Sequence, residues 1–371
     1  KRTNSNMTIK WGCNLSDTKV LVLYFYSYVV CGQDSEVLWL ENDIIRVSIS
    51  KKGAELQSIQ GKISKFEHLS ENGEFWTDRA PIMFPVNVRI RGDEFYFRNV
   101  KYEMPKMGII KQSHMALKHK SKNEAILSFV RKLPIFVQPF VRYKLIGNTI
   151  LNEYTITYND TRDMYFALGN HLGFNLSLGQ PNGRETHDLF FLIISAQREL
   201  IENSVLKDST ASFLQDETTF GLGDDRISNT GIFIKDSVIH KIGLARSGNK
   251  PYISLILGNF PNVNIWSPPG YPFVCIEPMV SHHEFQVSPK DIEKKHHLVT
   301  LKPGETAKCF FFNRNRPKPL NNNLYVIKVW LCICFLCPIL PDYGTNLWCS
   351  GFRLCFFKDG YQNNLTDNFF N

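Results

Sequence analysis

The stretch FVRYKLIGNTILNEYTITYND, residues 140–160, decides the fold class. Val141, Tyr143 and Leu145 alternate with Arg142 and Lys144, and after Gly147-Asn148 the alternation resumes through Ile150, Tyr154, Ile156 and Tyr158. A period of two is the mark of a strand with one face on a core, and a Gly-Asn pair between two such runs is a turn signal. The same pattern recurs outward in both directions. It appears in VLWLENDIIRVSISKKGAELQSIQGK (37–62), FYFRNVKYEM (95–104), EAILSFVRKL (124–133), GIFIKDSVIHKIGLA (231–245), PYISLILG (251–258) and VTLKPGETAKCFFF (299–312). Turn residues separate these segments. Only HEFQVSPKDIEKKHHL, 283–298, has a helical look, and that over a turn or two. Many strands and almost no helix predict an all-β chain, a large antiparallel β-sandwich.

Composition narrows the function. The 371 residues are 43% hydrophobic and 13% aromatic, a globular balance that leans towards strands. The net charge is +8, but the 43 Lys and Arg are scattered and form no stripe, so no nucleic-acid partner is expected. No phosphate loop, dinucleotide fingerprint or paired metal-ligand motif occurs. His282-His283 and His296-His297 are adjacent pairs. Neighbours on a strand face opposite ways and make poor chelates, so no metal is expected.

Three sections differ in character. Residues 1–34 contain the apolar run VLVLYFYSYVV (20–30), too short to span a bilayer. They are expected to form an extension outside the domain. If 20–30 acts as the apolar core of a signal peptide, the protein is secreted. Residues 35–318 form the domain. Residues 319–371 carry LYVIKVWLCICFLCPIL (324–340), interrupted by Lys328, and five of the nine cysteines. They read as a disordered tail or as sequence beyond the true end of the gene. Within the body only Cys275 and Cys309 remain, which points to a reducing, cytoplasmic compartment.

Three places could carry chemistry. In YPFVCIEPMVSHHEF, 271–285, Glu277 closes an apolar run directly before Pro278. Pro278 cannot donate to a ladder, so the strand is expected to end at Glu277. The carboxylate either faces solvent or a lysine, or sits partly desolvated in a cleft as a general base. In FALGNHLGFNLSL, 166–178, His171 lies between Gly169-Asn170 and Gly173. It is either a satisfied core histidine or a proton donor on a strand end. In APIMFPVNVRIRGDEFYF, 80–97, Pro81 and Pro85 frame a rigid segment outside any ladder, and Arg89 follows between Val88 and Ile90. Arg89 either snorkels or aims its fork at a ligand.

These elements, with LENDIIRVSISKKGAELQSI (40–59), NIWSPPGYPFVCIEPM (264–279) and DIEKKHHLVTLKPGET (291–306), give the body a resemblance to the aldose 1-epimerase, galactose mutarotase-like family, in its LacX-like branch. The resemblance spans about 36–315. It implies that Glu277 is the base taking the anomeric proton and His171 the acid at the ring oxygen. Arg89, Asn170 and Trp266 would bind a hexose or related aldose, and Trp76 would stack on it or fill core. No cofactor is implied. An ionised Glu277, favoured by a nearby Arg, would be required, and His171 would have to hold a proton or gain one. In YEMPKMGIIKQSHMAL (102–117) the resemblance places Met107 where the family has a sugar-contacting histidine, and a thioether cannot donate. Alternatives are therefore a sugar-binding or regulatory protein on the same scaffold, or a hexose-6-phosphate epimerase using Arg91, Arg98 and Lys111. A monomer or homodimer without membrane association is expected.

Overall fold

The computed structural model describes residues 36–335, apart from 72, 74, 130, 133–135, 177–182, 193–194, 228–229, 237–238, 258–259, 314–315 and 321–323. The extension at 1–34 and the end of the chain from 336 lie outside the described residues. Among the described residues the chain is all-β. A twelve-stranded sheet and an eight-stranded sheet dominate, with smaller sheets beside them. Helical structure is confined to short 3-10 turns such as Ile292–Lys294.

The opening stretch forms the longest hairpin. Phe136–Ile146 and Thr149–Tyr158 pair antiparallel from Val137↔Tyr158 to Ile146↔Thr149 across Gly147-Asn148. Gly147 has a φ of 57°, which a residue without a Cβ adopts at no steric cost. Tyr143, Ile150, Tyr154 and Ile156 enter one core with Leu244, Ile253, Leu172, Ile265 and Ile276. These residues come from both large sheets, so the core lies between the two layers of a sandwich. The backbone of Leu324–Phe335 joins the larger sheet, antiparallel to Thr306–Asn313 and parallel to Ile253–Ile256.

Two local expectations are corrected. The strand through Glu277 runs on to Met279. Gly169↔Met279 and Leu172↔Ile276 share one register, but the rungs opposite Pro278 and Glu277 are missing. Pro278 has no N–H to offer there, and the strand tolerates it because the ladder is open at that point. The His171 N–H turns instead to the Pro81 carbonyl at 2.9 Å. The second correction follows from the first. Ile82–Met83 is not outside the ladder: it pairs with Gly169-Asn170.

Candidate active site

Register alone builds the reacting row. Asn262–Trp266 pairs with Phe273–Met279 so that Asn264 stands opposite Glu277, and Ile232–Ile234 sets Phe233 opposite Asn264. On the far side the interrupted register brings His171 opposite Glu277. Residues directly across strands share a face. Asn264 Nδ2 donates to Glu277 Oε1 at 2.8 Å, and His171 Nε2 lies 3.3 Å from the same oxygen.

The next row on this face holds Gly173, Cys275 and Trp266. A Cβ on Gly173 would come within 2.3 Å of the Trp76 ring, so only glycine lets that indole lie against the strand. Trp76 and Trp266 then flank His171 at ring-centroid distances of 4.9 and 5.9 Å. Beneath them, Gly173 N–H donates to the Arg79 carbonyl at 2.9 Å, while the Glu55 carboxylate accepts from the Arg79 and Ala80 N–H groups at 2.7 and 2.9 Å. Glu55 thereby fixes the segment on which His171 hangs. The result is a cavity of about 300 Å³, walled by the two tryptophans, Val88, Met107 and Ile201, with His171, Asn264, Glu277, His283 and Lys106 among its polar members.

The electrostatics follow from burial. Glu277 has no exposed side-chain surface and His171 keeps 7%. Desolvation pushes Glu277 up to about 8, against the Asn264 hydrogen bond and the Lys106 charge, which hold it down. Desolvation also pushes His171 down to about 3, and Lys106 adds to that. A protonated, neutral acid beside a neutral imidazole, with one titratable proton shared between them, is the arrangement burial favours. Burial thus opposes the ionised Glu277 and the protonated His171 that the reaction would need. Glu277 Oε2, His171 Nδ1 and Asn264 Oδ1 have no protein partner among the described residues.

Of the residues singled out from sequence, His171, Glu277, Met107, Trp266 and Trp76 meet at this cavity. Arg89 does not. Its fork is bidentate on Asp93 at 2.8 and 2.6 Å, and it is about half exposed. Val88 sits at a φ of 46°, unusual for a β-branched residue, and its own side chain lines the cavity. The cation near the carboxyl is Lys106. Asn170 faces away from His171, and its Nδ2 donates to the buried Tyr154 hydroxyl at 2.7 Å. Arg91 donates to the Ser288 carbonyl and Lys111 to Asp78, so neither reaches the cavity, and Arg98 does not line it. Among the described residues no group of His, Cys, Asp and Glu is fit to hold a metal, and no helix is long and apolar enough to cross a membrane.

Sequence reasoning missed Asn264, Lys106 and the cavity role of His283. His283 is buried against Phe233, with ring centroids 4.6 Å apart, and neither nitrogen has a partner among the described residues. Asn264 lies in an ordinary run, NVNIW, and only the register reveals it.

A family model described as aldose 1-epimerase matches residues 36–309, most of the chain and all of the elements that build the cavity. The chain belongs to the aldose 1-epimerase family. It is LacX-like: the plasmid-borne protein LacX of Lactococcus lactis subsp. lactis is 24% identical over 290 residues, covering 72% of this chain and 96% of that protein. The chromosomal LacX protein of the same organism matches equally. Among solved structures, a galactose mutarotase related enzyme from Lactobacillus acidophilus superposes with a TM-score of 0.69 at 24% identity, over 74% of this chain and 95% of that one. A galactose mutarotase-like protein from Lactobacillus casei gives 0.67 at 22% identity, over 80% and 99%. These structures carry the same β-sandwich.

Proposed function

We propose that this epimerase-family chain interconverts the α and β anomers of an aldose in the cavity between Trp76 and Trp266, using Glu277 and His171 as the proton-transfer pair. The observation that carries the reading is the 3.3 Å contact between His171 Nε2 and Glu277 Oε1 inside a walled cavity. A pyranose enters with its anomeric hydroxyl towards Glu277 and its ring oxygen towards His171. The shared proton passes to His171 as Glu277 becomes the acceptor, helped by the Asn264 hydrogen bond. Glu277 removes the anomeric proton while His171 protonates the ring oxygen. The C1–O5 bond breaks and C1 becomes an aldehyde. Rotation about C1–C2 exposes the other carbonyl face. Reclosure returns both protons, and the pair regains its starting state. Holding both groups on adjacent strands keeps them in place without motion, and each positioned proton-transfer group is worth roughly 10²–10⁴-fold.

Polarimetry of freshly dissolved α-D-glucose and α-D-galactose tests the reading. Acceleration by the wild type that is lost in Glu277→Gln is the expected result, and full activity in the variant overturns it. One observation favours a second reading. Met107 contributes a thioether to the cavity wall, so sugar binding without turnover is the competing outcome. It would show as saturable binding with no acceleration. Among the described residues Cys275 and Cys309 are free thiols, both buried, which supports a cytoplasmic setting.

A further inference from the structure

The cavity holds a polar group that the reacting pair does not use. His283 is 2% exposed, lines the cavity and has no partner on either ring nitrogen among the described residues. Its ring lies against Phe233, and Phe233 belongs to an apolar cluster with Val88 and Met107, on which Ile201 packs. An imidazole buried in such surroundings without bonds carries a desolvation cost that an apolar side chain would not. Folding alone gives no return for it.

Register gives its distance from the chemistry. Phe233 stands opposite Asn264, and Asn264 opposite Glu277. Phe233 is therefore two strands from Glu277, about 10 Å at the usual strand spacing. The His283 ring, laid on Phe233, lies towards the end of the cavity away from the reacting carboxyl. The segment that carries it is tied down on both sides. The Ser281 carbonyl accepts from Asn87 Nδ2 at 2.6 Å, and the His283 carbonyl accepts from the His282 ring at 2.7 Å. The Glu284 carbonyl accepts from the Leu206 N–H at 2.7 Å, and the Glu284 carboxylate is paired with buried Lys295. An unbonded ring on a fixed backbone is preorganised for a ligand.

The chemistry of the ring says what it takes. Burial, with the His282 and Lys106 charges adding to it, pushes His283 down to about 3, so the imidazole is neutral. A neutral imidazole offers one N–H and one lone pair, and a hydroxyl can satisfy either. With C1 and the ring oxygen of a pyranose at Glu277 and His171, the C3–C4 edge lies across the ring from them, on the His283 side. We propose that His283 is a substrate-binding residue that holds the hydroxyl at C3 or C4 of the aldose, and so selects pyranoses with a free hydroxyl on that edge. The inference rests on the epimerase reading of Glu277 and His171.

The test is anomer exchange of D-glucose and its 2-deoxy, 3-deoxy and 4-deoxy analogues, followed by NMR with the full chain as wild type, His283→Leu and His68→Leu. His283→Leu is expected to raise KM for glucose about five- to thirtyfold, the worth of a hydrogen bond to a buried hydroxyl. The effect should fall on KM rather than kcat, with the thermal midpoint unchanged or higher, a combination that a merely structural ring would not produce. The same rise should appear with the 2-deoxy sugar and vanish with the 3-deoxy or the 4-deoxy sugar, whichever lacks the hydroxyl concerned. His68 is also buried with both nitrogens unpaired among the described residues, but it does not line the cavity, so His68→Leu should leave KM unchanged. An unchanged KM in His283→Leu overturns the assignment and leaves the epimerase reading standing. So does an equal rise with all four sugars, a rise that vanishes only with the 2-deoxy sugar, or the same rise in His68→Leu. If the wild type turns over none of the sugars, the epimerase reading falls, and titration of each sugar against tryptophan fluorescence judges His283 by itself. Binding of glucose that is weakened by His283→Leu, with binding of the 3-deoxy or 4-deoxy sugar left unchanged, upholds it; equal weakening of all, or no binding, overturns it.

Discussion

Two buried carboxyl groups lie seven positions apart in the chain, Glu277 and Glu284, and each faces a basic partner. Glu284 is saturated. One oxygen accepts from the buried Lys295 ammonium and the other from the Arg91 N–H at 2.8 Å. Lys295 is 1% exposed and Glu284 2%. Glu277 is as deeply buried but incompletely paired. It has Asn264 and a histidine at 3.3 Å, and its second oxygen has no partner among the described residues. Burial of a charge does not mark a reaction centre; unused hydrogen-bonding capacity beside a cavity does. A saturated pair ties segments together, and an unsaturated one has valences left for a substrate.

Changes that separate activity from stability test this contrast. The largest effect is expected from Glu277→Gln, a loss of at least 10²-fold in mutarotation with the fold retained, read by polarimetry and circular dichroism. Lys295→Met should do the reverse. It strands the Glu284 carboxylate in the interior and should lower stability by about 3–5 kcal/mol in chemical denaturation. Activity per folded molecule should be retained. If Lys295→Met is harmless, Glu284 is not the structural member of the comparison.

A third test uses pH. The folded-state pKa of Glu277 is raised from 4.5 to about 8 by burial. Its contribution to stability is therefore fully present below pH 4.5 and is lost as pH rises through about 8. The folded protein binds the extra proton in that window, so stability falls with pH there at a limiting slope on the order of 1.4 kcal/mol per unit. Denaturation of wild type and Glu277→Gln between pH 5 and 9 should show the decline in the wild type and its absence in the variant. Parallel curves would mean that Glu277 is ionised throughout. The smallest effect is expected from His283→Leu. His283 is buried with both nitrogens unpaired, so replacing it by an apolar side chain removes a desolvation penalty instead of a bond. The midpoint of thermal unfolding should hold or rise, and a large drop would show that the ring has a partner in solution.

The strands were legible because alternation in stretches such as 140–160 is a direct image of the pleat, and Gly147-Asn148 marks its own turn. His171 and Glu277 were legible because a polar residue among glycines or in an apolar run stands out. Their partners were not. Asn264 looks ordinary until Phe273–Met279 is laid beside it, since a cross-strand neighbour thirteen positions away leaves no local pattern. Arg89 misled for the opposite reason. Its apolar neighbours suggest an inward arginine, but the left-handed turn at Val88 puts Val88 on the cavity wall and leaves Arg89 with Asp93. The strand end expected at Pro278 failed because a missing donor does no harm where the ladder is already open.

The open place in the ladder is only two rungs long, and the strand around it is firmly held. Phe273–Met279 has strand neighbours on both edges, and every one of its side chains is buried. Glu277 thus sits on a strand buried along its length and held on both edges, where hydrogen exchange should be slow. The amides of Cys275 to Glu277 would then exchange among the slowest in the protein. Under the proposed function, turnover needs no hinge at Glu277.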